Sequence, residues 1–165
     1  METKSVKHFI YSLCLTALAG ILFTGCGGKK DDPAPQNYGK ISLKITVTVT
    51  GADQMDQVDL GISAGNHDAS QYGEPVWKIN GVTQGNENVI LWDEKKFFGS
   101  TKTYVFETVR PYNFGGLSVS YSNQEGTPIT LSYKAEVDGK VETNVQNQVI
   151  AVGQSQSHNY KYTAK

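Results

Sequence analysis

Residues 40–50 read KISLKITVTVT. Ile41, Leu43, Ile45, Val47 and Val49 alternate with Ser42, Lys44, Thr46, Thr48 and Thr50. A period of two sends the first set to one face of an extended strand and the second set to the other. One face is apolar and the other is wet, the pattern of an antiparallel sheet that covers a core on one side. The stretch is also dense in β-branched residues, which suit a pleated, half-buried surface. This run decides the fold class, because the same period recurs through the rest of the chain.

Beyond the break at Gly51-Ala-Asp53, Val58, Leu60 and Ile62 alternate again, up to a turn-rich stretch from Gly65 to Glu74. Val76–Ile79 precedes Asn80-Gly81, a two-residue hairpin signal. Val89-Ile-Leu-Trp92 is continuously apolar and predicts a strand buried on both faces; Asp93–Gly99 then connects, with room for one helical turn. Strand character returns at Thr103–Arg110, a turn is expected over Pro111–Gly116, and Leu117, Val119 and Tyr121 alternate after it. Ile129 to Val137 alternates next. Asp138-Gly139 predicts a type I′ hairpin into Lys140–Ala151, and Gly153 starts a last strand carrying His158, Tyr160 and Tyr162 on one face. Eight or nine short strands with no long amphipathic helix predict an all-β, two-sheet antiparallel sandwich, immunoglobulin-like or transthyretin-like in general form, with a closed β-barrel as the alternative.

Composition narrows the function. Charged residues are 19% of the chain and the net charge is -1, which argues against nucleic acid as a partner, since that needs a clustered basic surface. The N-terminus is different in kind. Lys4 and Lys7 precede an apolar run from Phe9 to Phe23. Fifteen helical residues reach only about 22 Å, short for a bilayer and right for a secretory signal. Thr24 and Gly25 then lead into Cys26.

Leu22-Phe-Thr-Gly-Cys26 resembles the lipobox of bacterial lipoproteins, with Phe23 in place of the usual Leu at the third position before the cysteine. The resemblance implies diacylation of the Cys26 thiol and removal of residues 1–25. Cys14 would leave with them, so Cys26 is expected as an attachment point rather than half of a disulfide. Two or three acyl chains, at about 0.8 kcal/mol per buried methylene, make a lasting anchor. Lys29-Lys30-Asp31-Asp32 resembles the export signal of Bacteroidetes surface lipoproteins, which implies the outer membrane and its outward face, with a periplasm-facing position as the alternative. Residues 26–37, with Pro33-Ala-Pro35, read as an extended stalk, and residues 38–165 as the sandwich domain.

Chemistry is sparse by comparison. Gly61-Ile-Ser63-Ala-Gly65 fits Gly-x-Ser-x-Gly, which in α/β-hydrolases places a nucleophile on a strained turn before a helix. No helical pattern follows, and His67 or His158 would have to serve as base. Asp53, Asp56, Asp59, Asn66 and Asp68 crowd one region and are candidates for calcium, an oxygen-seeking ion, although their spacing is not Asp-x-Asp-x-Asp-Gly. Trp77 and Trp92 read as core. Tyr72, Tyr112, Asn113 and Phe114, with Phe97-Phe98, are placed in loops, where exposed rings beside polar groups would suit a glycan. The expectation is a non-catalytic, lipid-anchored module that binds a glycan or an envelope protein. The alternatives are a structural subunit of a surface fibre or envelope complex, as Bacteroidetes fimbrial subunits also begin as lipoproteins, and a small hydrolase.

Overall fold

The computed structural model describes residues 38–165. Cys26, the Lys29–Asp32 motif, the signal segment and the stalk lie outside the described residues. Ten strands follow in order: β1 (Leu43–Thr50), β2 (Asp56–Gly65), β3 (Trp77–Ile79), β4 (Val82–Thr83), β5 (Val89–Trp92), β6 (Lys102–Thr108), β7 (Phe114–Asn123), β8 (Ile129–Val137), β9 (Lys140–Ile150) and β10 (Ser155–Thr163). A six-stranded sheet runs β4-β3-β6-β1-β8-β9 and a four-stranded sheet runs β10-β7-β2-β5, all pairings antiparallel. The sheets stay separate, so the molecule is a sandwich and not a closed barrel.

The alternation at 41–49 points as its period requires. Ile45, Val47 and Val49 are buried and meet Leu60, Ile62, Leu117 and Val119 of the smaller sheet in one core. Asn80-Gly81 and Asp138-Gly139 both have two consecutive positive φ angles, 50° and 81° and then 49° and 78°, as a type I′ hairpin demands. The first hairpin yields β3 and the two-residue β4, which brings the strand count to ten. A 3₁₀ turn at Glu94–Lys96 supplies the helical turn expected in that connection.

Two local expectations are corrected. Val89–Trp92 is not buried on both faces. β5 closes the smaller sheet as an edge, pairing with β2 alone, so Leu91 is 78% exposed while Ile90 and Trp92 pack on the core. The turn after Arg110 is also shorter than its Gly-Gly suggested. Phe114, Gly115 and Gly116 already belong to β7, paired to Gly65, Ala64 and Ser63.

Candidate functional site

β2 and β7 divide the domain into two ends. At one end Tyr38, the loop after Gly65, Tyr112 and Asn113 come together. At the other, the Gly51–Asp56 turn, Gly99 and the Asn123–Thr127 turn meet, with Gly99 N–H donating to the Ala52 carbonyl at 3.0 Å.

The predicted ring cluster belongs to the first end, and the structure disperses it. Tyr112 is 0% exposed. Its backbone forms a bridge with Ile41, N–H donating to the Ile41 carbonyl at 2.9 Å, and its hydroxyl donates to the Pro75 carbonyl at 3.3 Å. It therefore presents no face to a ligand, which corrects the expectation. Asn113 is buried and its amide is fully used: Nδ2 donates to the Tyr38 and Gly39 carbonyls at 3.0 and 3.2 Å, and Oδ1 accepts from His67 N–H at 3.2 Å. Phe114 lies 5.5 Å, centroid to centroid, from the His67 ring, which itself sits 4.1 Å from Tyr38. Tyr72 alone of the four is open, at 69% exposure. Of the other rings, Trp77 and Phe97 are core, and Trp92 packs edge-on against Tyr104 and Phe106.

The acidic residues do not converge either, because a ten-residue strand keeps sequence neighbours apart. Asp53 and Asp56 stand at the start of β2, while Asn66 and Asp68 follow its far end roughly 30 Å away at about 3.3 Å per residue. Asp59 faces outward, opposite Ser120. Asp68 is held below the usual carboxylate range by the Ser70 backbone N–H and hydroxyl. Among the described residues no three His, Cys, Asp or Glu side chains are grouped to hold a metal. Asp56 stands opposite a residue that sequence reasoning missed: Asn123, its cross-strand neighbour. Only the pairing of β2 with β7 could have revealed it.

Ser63 sits inside a regular ladder between Val89 and Gly116, not on a turn. His67 is engaged with Tyr38 and Phe114, and His158 Nε2 lies 3.4 Å from the Tyr121 hydroxyl. The geometry thus gives the Gly-x-Ser-x-Gly pattern no nucleophile elbow.

The outward face of the smaller sheet offers a surface that loop chemistry did not suggest. Asp59, Gly61 and Ser63 of β2 lie beside Ser120, Ser118 and Gly116 of β7, and Ser120 hydrogen-bonds Ser157 of β10 at 2.9 Å. Small side chains keep the middle of the face low, between Val89 and Leu91 on β5 and Lys161 on β10. At its β5 margin a shallow groove is lined by Asp59, Leu91, Trp92, Asp93, Lys96 and Ser120, with the Lys96 ammonium 5.4 Å from the centre of the Trp92 ring.

No protein-family model and no curated protein matches the chain. Solved structures do. A DUF4425 family protein from Bacteroides ovatus matches with 17% identity over 75% of this chain and 95% of that one, TM-score 0.51. A domain of unknown function, DUF4425, from Bacteroides vulgatus matches with 14% identity over 76% and 96%, TM-score 0.50. The calcium-bound form of a protein from Parabacteroides distasonis, solved by NMR, matches with 13% identity over 81% and 99%, TM-score 0.58. At these identities the likeness is one of fold.

Proposed function

We propose that the chain is a lipid-anchored protein of the outer membrane, facing outward, whose sandwich is a non-catalytic module that binds a glycan on the exposed face of its smaller sheet. The observation that carries this reading is the Asp59–Gly61–Ser118–Ser120 surface beside Leu91. Carboxylate and hydroxyl groups are available to sugar hydroxyls, the apolar C–H faces of a sugar can rest on Leu91, and the small residues of β2 and β7 keep the middle of the face low. Glycan-array binding should be lost when Asp59→Ala is combined with Ser118→Tyr, with the melting temperature kept. Retention of binding in that folded variant removes this surface from consideration. The anchor is supported by the sequence at Cys26: Cys26→Ser should abolish both palmitate labelling and membrane retention.

The calcium-bound Parabacteroides neighbour supports extending calcium to this chain, as an ion that stabilises the module.

One observation favours the structural reading. β10 offers a regular edge of nine residues, paired only to β7, on which a partner strand can add. The other long edge, β9, is irregular, with register shifts near Leu131/Tyr133 and Ala135/Glu136, a device that discourages pairing. Mild crosslinking that yields ladders of the chain would favour assembly through β10; a monomer band keeps ligand capture ahead.

A further inference from the structure

Asp56 opens β2 and Asn123 closes β7, directly opposite each other. Opposed residues of an antiparallel pair have Cβ atoms about 4.5–5.5 Å apart on one face. Asp56 is 5% exposed and Asn123 0%. Each holds one buried oxygen without a hydrogen-bond partner, Asp56 Oδ1 and Asn123 Oδ1. Their remaining side-chain atoms are engaged. Asp56 Oδ2 accepts from Asp53 N–H at 2.8 Å. Asn123 Nδ2 donates to the Thr127 and Ile150 carbonyls at 2.9 and 3.0 Å. Flipping that amide would set its oxygen against two carbonyls, so Oδ1 is held where it is. Two acceptor-only oxygens buried at neighbouring positions call for a donor or a cation between or beside them.

Asp53 adds a second carboxylate at the same turn. Its Oδ1 accepts from Met55 N–H at 2.8 Å. Its Oδ2 lies 3.3 Å from where a Cβ would stand at residue 126, a glycine with φ of +95°. Burial pushes the Asp56 carboxyl above its ordinary range, against the hydrogen bond from Asp53, and the charge of Asp53 pushes the same way as burial. A cation would relieve both.

We propose that Asp53, Asp56 and Asn123 form the binding site of a calcium-class cation, with the orphaned Asp56 Oδ1 and Asn123 Oδ1 as its buried ligands. This rests on the calcium reading and gives it a place. Two carboxylates and an amide are a donor set for a hard, oxygen-seeking ion, and other positions of a six-to-eight oxygen shell fall to backbone carbonyls and water. Such a ligand charge suits weak, extracellular-type affinity of about 10⁻⁴–10⁻³ M. The ion would tie the Gly51–Asp56 turn to the Asn123–Thr127 turn. A proton shared between the two orphaned oxygens is the rival occupant, since Asp53 already caps the Met55 N–H; with the proton there the chain would show no response to calcium.

The test uses the purified full chain, melted and examined by amide NMR in EDTA and in about 5 mM calcium chloride, well above that affinity range. Calcium should raise the melting temperature by several degrees and shift amides of residues 53–57 and 123–127. Asp56→Asn places a donor opposite Asn123 Oδ1, so it should fold without the ion and lose the response. Asp53→Asn should keep the fold and weaken calcium about tenfold. A wild-type chain with neither melting nor spectral response overturns the site together with the calcium reading. A response undiminished in both variants overturns this site alone and leaves calcium bound elsewhere.

Discussion

The hydroxyls of Tyr133 and Tyr160 share a 2.9 Å hydrogen bond across the gap between the two sheets, from β8 to β10. Around them the Tyr162 and Thr143 hydroxyls meet at 2.8 Å, and the Tyr121 hydroxyl donates to Gln156 Oε1 at 2.8 Å. β9 and β10 are the outer strands of their sheets, so this phenol seam closes the sandwich where no ladder can. Burial pushes the Tyr121, Tyr133 and Tyr162 phenols up from their ordinary value of 10.0.

Alkaline instability follows from that burial. A phenol whose folded pKa is raised holds its proton more tightly in the folded chain than in the unfolded one. Its contribution is fully present below pH 10 and is lost as pH climbs from there towards the folded value. Melting temperatures between pH 8 and 11.5 should be flat at first and then fall steeply above about pH 10. Tyr133→Phe should cost about 1 kcal/mol at neutral pH by losing one hydrogen bond, and should make the alkaline fall shallower. A fall of the same steepness in Tyr133→Phe would separate this seam from the effect.

Tyr112 and Tyr72 should respond oppositely to truncation. Tyr112 is sealed in the core, so Tyr112→Ala removes a large ring from close packing and should cost about 3–5 kcal/mol in chemical denaturation. Tyr72→Ala, at a mostly exposed position, should stay within about 0.5 kcal/mol.

Gly115 is set by contact rather than by dihedral freedom. A Cβ there would stand 2.5 Å from Leu43 Cδ2 and 3.3 Å from the Ser63 carbonyl oxygen, where β7 passes under β1. Gly115→Ala should destabilise by about 1–3 kcal/mol through overpacking. Gly139→Ala meets no neighbouring atom, and its cost of about 1–2 kcal/mol should come from the left-handed backbone alone. Combining Leu43→Ala with each would tell them apart. The double variant should recover part of the Gly115→Ala loss by making room, and none of the Gly139→Ala loss.

What could be read in the sequence and what could not divides along physical lines. Alternation at Ile41–Val49 and the two type I′ turns are local signals, and they placed strands and core faces correctly. Whether a strand is central or at an edge depends on neighbours far along the chain, which is why Leu91 emerged exposed from an apolar run. Tyr112 sits in a stretch of turn-forming residues, yet pairing with Ile41, 71 positions earlier (112 − 41), draws it inside. The Asp56–Asn123 pair is likewise non-local, so the acidic cluster could be seen in the sequence while its buried partner could not.

Asn113 shows how a residue suited to a ligand can be consumed by its own fold. It ties the entering chain at Tyr38 and Gly39 to the loop after β2, and its backbone N–H donates to Asn66 Oδ1 at 3.1 Å. Asn113→Asp keeps the acceptor for His67 N–H but turns the two donor positions into an anionic oxygen against two carbonyls. A buried carboxyl in that setting has its pKa raised. By the same linkage as for the phenols, the variant's folded state is favoured below the unfolded value of about 3.9 and weakens as pH rises through the folded one. Asn113→Asp should therefore lose about 2–3 kcal/mol relative to wild type at pH 7 and much less at pH 4, where a protonated oxygen can donate again. Asn113→Ala, which has nothing to titrate, should show an equal loss at both. Stability curves for the two variants at the two pH values would check this, and a pH-independent deficit in Asn113→Asp would mean that the amide does not face those carbonyls.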